Sequence, residues 1–253
     1  MPRHQLRLDA SSPTIIVPIT ARDLTELDQS AAASAAALAG AAAEWRVDLF
    51  TPFTDGGGAH PAQAVAALER LAGLLPDTPI LATFRTTAEG GSAEIAADSY
   101  VALIDALAAT GLVAAVDVEY RHPEAGRAIA AAHRHGVPVV ASNHDFDATP
   151  PTEEIVARLE AMETAGADVA KIAVMPHSAA DVVTLLDATE RRYRQARIPL
   201  ITMSMGALGA VTRIGGGAFG SAATFATVGA ASAPGQLPAD GVRAALDLLH
   251  RGR

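Results

Sequence analysis

Asp168-Val-Ala-Lys-Ile-Ala-Val-Met-Pro176 is the stretch around which the chain is organised. It is apolar on both sides of Lys171, which is the only lysine among 19 basic residues. Arginine cannot act as an amine nucleophile because its guanidinium stays protonated, whereas a desolvated lysine can form a Schiff base with a carbonyl compound. Lys171 is therefore a candidate imine-forming residue. A lysine at a strand end, with its ammonium group in solvent, is the open alternative.

Short strand-like segments of the same kind recur along the whole chain, and helical patterns alternate with them. The predicted strands are 14–19, 44–50, 79–85, 112–119, 137–144, 168–176, 199–205 and, more weakly, 221–227. The predicted helices are 21–38, 61–75 after a Gly56–Gly58 loop, 94–109, one that ends near 134, one between Thr149 and Gly166, 179–194 and 238–250.

Eight strand–helix repeats in 253 residues predict an α/β chain folded as a (β/α)8 TIM barrel. No linker or low-complexity spacer divides the repeats, so we predict one catalytic domain over residues 1–253, with 1–13 as a short N-terminal extension. An open doubly wound sheet is the alternative fold. It is disfavoured because the glycine fingerprint of dinucleotide-binding domains is missing after the first strand.

Composition excludes several classes of function. The net charge of −9 argues against binding to nucleic acid or to anionic membranes. Cysteine is absent, which excludes disulfides, thiolate metal sites and cysteine nucleophiles. No apolar run approaches the length of a membrane span, and no signal-peptide pattern follows Met1. A soluble, cytoplasmic protein is expected.

Polar side chains cluster near the carboxyl ends of the predicted strands, where (β/α)8 barrels carry their active sites. They are Glu44, Arg46, Asp48, Arg85, Asp117, Glu119, His144, Lys171 and, after the seventh strand, Arg213. Charges that recur on strand after strand indicate a shared concave site. Arg46, Arg85 and Arg213 are suited to binding a carboxylate. His144 is a candidate general acid and base, or a structural histidine beside Asp145.

Two other kinds of site have weaker support. Asp117, Glu119 and His144 offer a carboxylate–histidine set for a metal, but no paired-histidine motif accompanies them. Gly215-Gly-Gly217 could cradle a phosphate late in the barrel. The segment that follows at once, Phe219–Phe225, looks more like a tight strand entry. We expect neither a metal nor a phosphate ligand.

Several motifs together resemble a known family. They are Glu44-Trp-Arg-Val-Asp48, Thr83-Phe-Arg85 with Glu89-Gly-Gly91, Ser142-Asn-His-Asp-Phe146, Lys171-Ile-Ala-Val-Met-Pro176, Thr202-Met-Ser-Met205, Arg213, Phe219–Phe225 and Ala231-Ser-Ala-Pro-Gly-Gln236. In this order they resemble the type I 3-dehydroquinate dehydratases, the Schiff-base enzymes of the shikimate pathway. The resemblance covers nearly the whole chain, from about residue 14 to 250.

The resemblance implies a catalytic cycle. Lys171 would form an imine with the C3 ketone of 3-dehydroquinate. His144 would remove a C2 proton and later protonate the departing C1 hydroxyl, with Glu89 orienting the imidazole. The substrate-binding residues implied are Glu44, Arg46 and Arg85 at the ring hydroxyls, Arg213, Ser232 and Gln236 at the carboxylate and hydroxyls, and Met203 and Phe225. A homodimer and the absence of any cofactor are also implied.

The chain departs from the family pattern in three places. Pro18 ends the first strand where relatives often have serine, and Thr212 replaces a common serine before Arg213. The N-terminal segment is short, so the hairpin that caps the barrel in relatives is expected to be reduced. Two other functions remain open: a class I aldolase that uses the same lysine chemistry, and a carboxylate-binding barrel without catalysis.

Overall fold

A computed structural model describes residues 4–54, 60–229 and 232–250. The strands are β1 (Thr14–Ile19), β2 (Ala42–Arg46), β3 (Ile80–Thr83), β4 (Ala115–Glu119), β5 (Val139–Asp145), β6 (Val169–Val174), β7 (Leu200–Ser204), β8 (Ala223–Thr227) and β9 (Leu237–Pro238). The helices are α1 (Leu24–Ser34), α2 (Thr51–Thr54), α3 (Pro61–Leu74), α4 (Ala97–Ala109), α5 (Ala125–Arg134), α6 (Thr152–Thr164), α7 (Ala179–Tyr193), α8 (Ala210–Gly215) and α9 (Ala239–His250). This alternation confirms the predicted strand–helix repeats. The predicted Gly56–Gly58 loop lies outside the described residues.

The chain divides into two compact units. The first comprises residues 18–140 with the N-terminal residues up to Leu6, and the second comprises 7–17 and 141–253. Strands β1 and β5 are divided between the units. In the first unit β3 pairs with β2 and with β4, and in the second β6 pairs with β7 and β8 pairs with β1 and β9, always in parallel. The single domain stays a prediction.

The core of the first unit is built on aromatic side chains that meet edge to face. Trp45 packs against Phe50 with ring centroids 6.1 Å apart, and Phe84 packs against Phe53 at 5.7 Å and Tyr100 at 6.4 Å. All five side chains are buried. Buried aromatic pairs in this geometry add to the free energy of folding beyond the area they bury. They fix strands β2 and β3 against the surrounding helices.

Strand β2 is shorter than its sequence pattern predicts. The alternation of polar and apolar residues extends from Glu44 to Phe50, but the strand ends at Arg46 and continues as a 3-10 helix, Val47–Leu49. The turn closes when the N–H of Phe50 donates to the carbonyl of Val47, at 3.0 Å. The carboxylate of Asp48 then accepts from Arg46, two residues earlier, at 2.8 Å. The alternation therefore continues past the end of the strand into the 3-10 turn.

In the second unit, β6 and β7 align Lys171 with Ile201 and Ala173 with Met203. Every residue of β6 is buried, as expected of a parallel strand that is covered on both faces. The sequence did not predict β9, a two-residue strand that pairs with the end of β8 through Ala226 and Leu237.

The connection from β7 to β8 in the second unit is compact. It contains only the six-residue α8 and a 3-10 helix, Gly216–Phe219, before β8 begins. A Cβ on Gly217 would lie 2.6 Å from Pro13 Cγ and 2.8 Å from the carbonyl oxygen of Ala10. Gly217 therefore serves close packing against the N-terminal segment, whereas a Cβ on Gly215 would meet nothing within 4 Å.

Helix ends follow side-chain caps more closely than the apolar periodicity. The predicted helix 21–38 is α1, which starts later because Asp23 caps it by accepting the N–H of Glu26 at 2.8 Å. Ser178 and Asp181 form a capping box at the start of α7. None of the described helices combines the length and the hydropathy that a membrane span requires.

Gly220 generates a stability prediction. Its φ of +111° lies in the region that favours glycine, and an added Cβ would lie 2.3 Å from Tyr193 Cγ. Gly220→Ala should lower the free energy of unfolding by about 2–4 kcal/mol, because it adds a steric clash to backbone strain. The control Gly111→Ala also has positive φ, +68°, but no atom within 4 Å. It should lose about 1–2 kcal/mol. Urea unfolding measures both, and equal losses would contradict the steric argument.

Candidate active site

Lys171 lies in the middle of β6 and is buried, with 3% of its surface exposed. Its Nζ lies over the ring of Phe225 from β8, 4.7 Å from the centroid. The alternative in which the ammonium group reaches solvent is wrong. A buried amine beside an aromatic face is held in one place, as an imine-forming nucleophile requires. Two residues of the predicted site, one on β6 and one on β8, are thus in contact.

His144 stands near the end of β5 and is half-buried. Its ring stacks on that of Phe146, with centroids 6.4 Å apart. The neighbouring carboxylate of Asp145 accepts a hydrogen bond from Arg158 Nη1 at 3.1 Å, and the amide oxygen of Asn143 accepts from the same nitrogen at 3.0 Å. Asp145 is therefore engaged by an arginine of α6. Its presence beside His144 does not make that histidine structural.

Arg213 is a buried cation held by neutral acceptors. Its Nη1 donates to the carbonyl of Phe225 at 3.3 Å and contacts Met203 Sδ at 3.8 Å, and its Nη2 donates to the carbonyl of Pro234 at 3.0 Å. Its Nε is buried without a hydrogen-bond partner in the part of the chain that the structure describes. Burial lowers the pKa of Arg213 to about 10. Such a guanidinium is suited to binding an anionic ligand.

Ser232 and Gln236 bind each other. The side-chain oxygen of Gln236 accepts the N–H of Ser232 at 2.8 Å and its hydroxyl at 3.2 Å, and Gln236 Nε2 lies 3.0 Å from Ser232 Oγ. Between them, the carbonyl of Pro234 accepts from the N–H of Gly206 as well as from Arg213. This loop is therefore attached to the predicted carboxylate-binding arginine.

In the first unit, Arg85 is buried among carboxylates. It donates to Asp117 at 2.8 Å and to Glu119 at 3.1 Å, and Glu89 lies 3.5 Å away. Burial acts to lower the pKa of Arg85, but the charges of Asp117, Glu119, Glu89 and then Glu44 outweigh it and raise that pKa. The two carboxylates of the proposed metal set, Asp117 and Glu119, both pair with this arginine.

Two further predicted substrate contacts are Glu44 and Arg46. Each is held by a neighbouring polar side chain to which the resemblance assigned no catalytic or binding role. Thr83 donates its hydroxyl to Glu44 at 3.0 Å across the β2–β3 pair. Arg46 donates from Nε and Nη2 to Asp48, both at 2.8 Å. Paired side chains in fixed rotamers lose less entropy when they bind a ligand.

A comparison with known protein families matches residues 15–253 to the type I 3-dehydroquinase family. The chain belongs to this family. A 3-dehydroquinate dehydratase of Listeria monocytogenes is 50% identical over 210 residues, 82% of this chain and 81% of the relative. One from Bacillus licheniformis is 43% identical over 249 residues, 97% of this chain and 96% of the relative.

Solved structures agree in fold. The type I 3-dehydroquinate dehydratase of Clostridium difficile, solved with covalently modified comenic acid, superposes with a TM-score of 0.90 at 37% identity, covering 98% of this chain and 96% of that one. The carboxyl transferase domain of Rhizobium etli pyruvate carboxylase has a TM-score of 0.70 at 12% identity, which shows the fold alone. The (β/α)8 prediction is confirmed.

The resemblance to 3-dehydroquinases implied a set of site residues. Within each unit, several of these residues are in contact. In the second unit, Phe225 contacts Lys171 through its ring and Arg213 through its carbonyl, Met203 contacts Arg213, and Ser232 contacts Gln236. In the first unit, Arg85 meets Glu89. Thr212, which replaces a common serine, accepts the N–H of Ser204 at 3.0 Å.

No described carboxylate pairs with Arg213, and this generates a second prediction. Arg213→Met should leave the free energy of unfolding unchanged or raise it by about 1 kcal/mol, because it removes a buried cation that no described acid neutralises. The control is Arg192→Met, since Arg192 is equally buried but pairs with Glu163. It should lose about 1–3 kcal/mol. Chemical unfolding of both proteins measures the difference, and a larger loss at Arg213 would contradict the argument.

Proposed function

We propose that Lys171 is the imine-forming nucleophile in the dehydration of 3-dehydroquinate to 3-dehydroshikimate. Membership of the type I 3-dehydroquinases gives the chain this reaction, and a Schiff-base mechanism is characteristic of the type. The observation that carries the assignment is the burial of the only lysine in β6, over the ring of Phe225. The Clostridium difficile relative was solved with a covalently modified ligand, which supports covalent chemistry in the family.

The protein needs only one amine and one imidazole to carry out every step of the dehydration. The amine of Lys171 adds to the C3 ketone and water is lost, which leaves an iminium ion. The imidazole of His144 removes a C2 proton, and the electron pair of the C–H bond enters the iminium to give an enamine. The enamine expels the C1 hydroxyl, which takes the proton from His144 and leaves as water. Hydrolysis of the imine releases 3-dehydroshikimate and restores the lysine.

The iminium explains why the reaction needs the lysine. A C2 proton beside a ketone is too weakly acidic for a neutral imidazole to remove quickly. The iminium is a better electron sink, so it divides one difficult elimination into easier steps. A single histidine can act as base and then as acid only if both groups leave from the same side of the ring, which makes the elimination syn.

The substrate carboxylate is assigned to Arg213. Its Nη groups donate to carbonyl oxygens, and its buried Nε has no described partner. A carboxylate would supply the missing acceptor and the missing negative charge. Ser232 and Gln236 are assigned to the same end of the substrate, because Pro234 between them is bonded to Arg213.

The remaining assignments rest on the family resemblance. Glu44, Arg46 and Arg85 are assigned to the ring hydroxyls, and Glu89 to the support of acid–base catalysis. All four belong to the first unit and are buried or half-buried. Met203 is assigned to the substrate pocket with Phe225. A homodimeric state and a cytoplasmic location also stay predictions from the resemblance.

The two other functions are less well supported. A class I aldolase would use the same buried lysine, but the family match covers residues 15–253 and points to the dehydratase. A carboxylate-binding barrel without catalysis would need neither the lysine nor the histidine. Both residues are present in their family motifs, so we assign an active enzyme.

Lys171→Ala should abolish turnover, because no other side chain of the chain can form the imine. The test mixes the wild-type protein with 3-dehydroquinate, adds borohydride, and measures the intact mass and a peptide map. A ligand-sized increment is expected on the Lys171 peptide, and no increment is expected in the variant. Because the chain has one lysine, the N-terminal amine is the only other primary amine, and the map separates the two. Turnover by the variant would contradict the imine mechanism.

His144→Ala should form the imine but stop before the elimination, because nothing removes the C2 proton. Product formation should fall by about 100- to 10,000-fold, the usual contribution of general acid–base catalysis. Borohydride should still trap the adduct on Lys171. Phe146→Leu is the control, since it removes the stacking partner but keeps the imidazole. A His144→Ala protein that turns over like the control would remove His144 from the mechanism.

A further inference from the structure

The loop that follows β3 closes on itself so tightly that its path is fixed. The N–H of Gly91 donates to the carbonyl of Thr86 at 2.8 Å, and the N–H of Thr87 donates to the carbonyl of Ala93 at 3.2 Å. A Cβ on Gly91 would lie 1.9 Å from the carbonyl oxygen of Arg85, which only glycine avoids. This loop, residues 85–93, carries both Arg85 and Glu89 of the proposed site.

Asp48 holds both ends of the 85–93 loop. Its Oδ1 accepts the N–H of Arg85 at 3.2 Å and its Oδ2 accepts the N–H of Ser92 at 3.1 Å. The same oxygens accept Nε and Nη2 of Arg46, both at 2.8 Å. A carboxylate offers about four acceptor positions, and here each oxygen receives two donors. The side chain has no exposed surface. Asp48 is therefore fully engaged by the protein.

Glu119 holds the same loop at its beginning. Its Oε1 accepts the N–H of Thr86 at 2.8 Å, and its Oε2 accepts the hydroxyl of Thr86 at 2.7 Å. Oε1 also accepts from Arg85 Nη1 at 3.1 Å. Hydrogen bonds to an ionised acceptor are stronger than those to a neutral one. The path of the loop is thus fixed by two buried carboxylates, one after β2 and one at the end of β4.

We propose that Asp48 is a positioning residue for the reaction, which acts through the 85–93 loop and does not touch the substrate. The proposal rests on the function proposed above, because Arg85 and Glu89 matter only if the chain performs that chemistry. The four N–H groups that donate to Asp48 all belong to Arg46 or to the 85–93 loop. Three of these donors come from Arg46 and Arg85, which belong to the proposed site, and the fourth comes from Ser92 in the loop that carries Glu89. Displacements of about 1 Å in catalytic groups can cost about 100-fold in rate.

The variant that tests the proposal is Asp48→Asn. Asparagine keeps the size of the side chain. Whichever carboxylate oxygen its NH2 group replaces, that group faces two N–H donors and cannot accept from them. The 85–93 loop should then shift. The rate constant kcat should fall by about 10- to 100-fold, while borohydride still traps the adduct on Lys171. Glu163→Gln is the matched control, because Glu163 holds the buried Arg192 and no residue of the proposed site. It should lower the unfolding temperature and leave kcat unchanged.

A double-mutant cycle with Glu89→Gln distinguishes positioning from a general loss of stability. If Asp48 acts through the loop, Asp48→Asn should cost less than about 3-fold in kcat when Glu89 has already been replaced, because residues of one unit are not additive. The same fold loss in both backgrounds, or an unchanged kcat in Asp48→Asn, would overturn the proposal.

If Asp48→Asn does not fold, Gly91→Ala replaces it in the cycle. This variant leaves Asp48 in place but forces the 85–93 loop away from the carbonyl of Arg85. The same loss and the same lack of additivity with Glu89→Gln are expected, and full additivity would again overturn the proposal. A failure of the proposed function appears separately, as a wild-type chain that turns over 3-dehydroquinate without a trapped adduct. The cycle then still decides the role of Asp48.

Discussion

The burial of charge at the strand ends is the constraint on which the rest of the structure depends. A charged group that leaves water loses several kcal/mol unless partners replace its hydration, so each buried charge dictates its neighbours. In the first unit Arg85 is surrounded by acids, chief among them Asp117 and Glu119. In the second unit Arg213 donates to two carbonyl oxygens and to a sulfur atom, and no described acid pairs with it. The first charge is balanced within the protein, and the second is the one that we assign to the substrate carboxylate.

The two arginines show how one residue type serves two purposes. Carboxylates raise the pKa of Arg85, whereas burial lowers that of Arg213. Both guanidinium groups stay protonated at neutral pH. An anion that binds at Arg213 would lower the free-energy cost of burying its charge. If Arg213 binds the substrate carboxylate as proposed, stability is exchanged for affinity at that position, a common compromise at functional sites. The aromatic core around Phe84 and the capped helices keep the fold stable in spite of it.

Most of the fold could be predicted from the sequence, because most buried strands are short, mainly apolar runs and helical patterns alternate with them. The exceptions have local causes. The strand through Glu44 ends early because the chain turns into a 3-10 helix at Val47, and β9 is too short to show a pattern. The site residues could be named from family motifs, but their partners could not. Asp48 and Thr83 stand in those motifs, but the contacts that they make follow only from distances across neighbouring strands.

The solitary lysine has a consequence for the chemistry of the whole chain. Reagents and metabolites that attack amines find no lysine on its surface, since the only one is buried in β6. Aldehydes and ketones that would glycate ordinary proteins therefore meet a single side-chain amine, and that amine is buried. On the function proposed above, the chain thus keeps the amine chemistry of its reaction apart from the accidental amine chemistry of the cell.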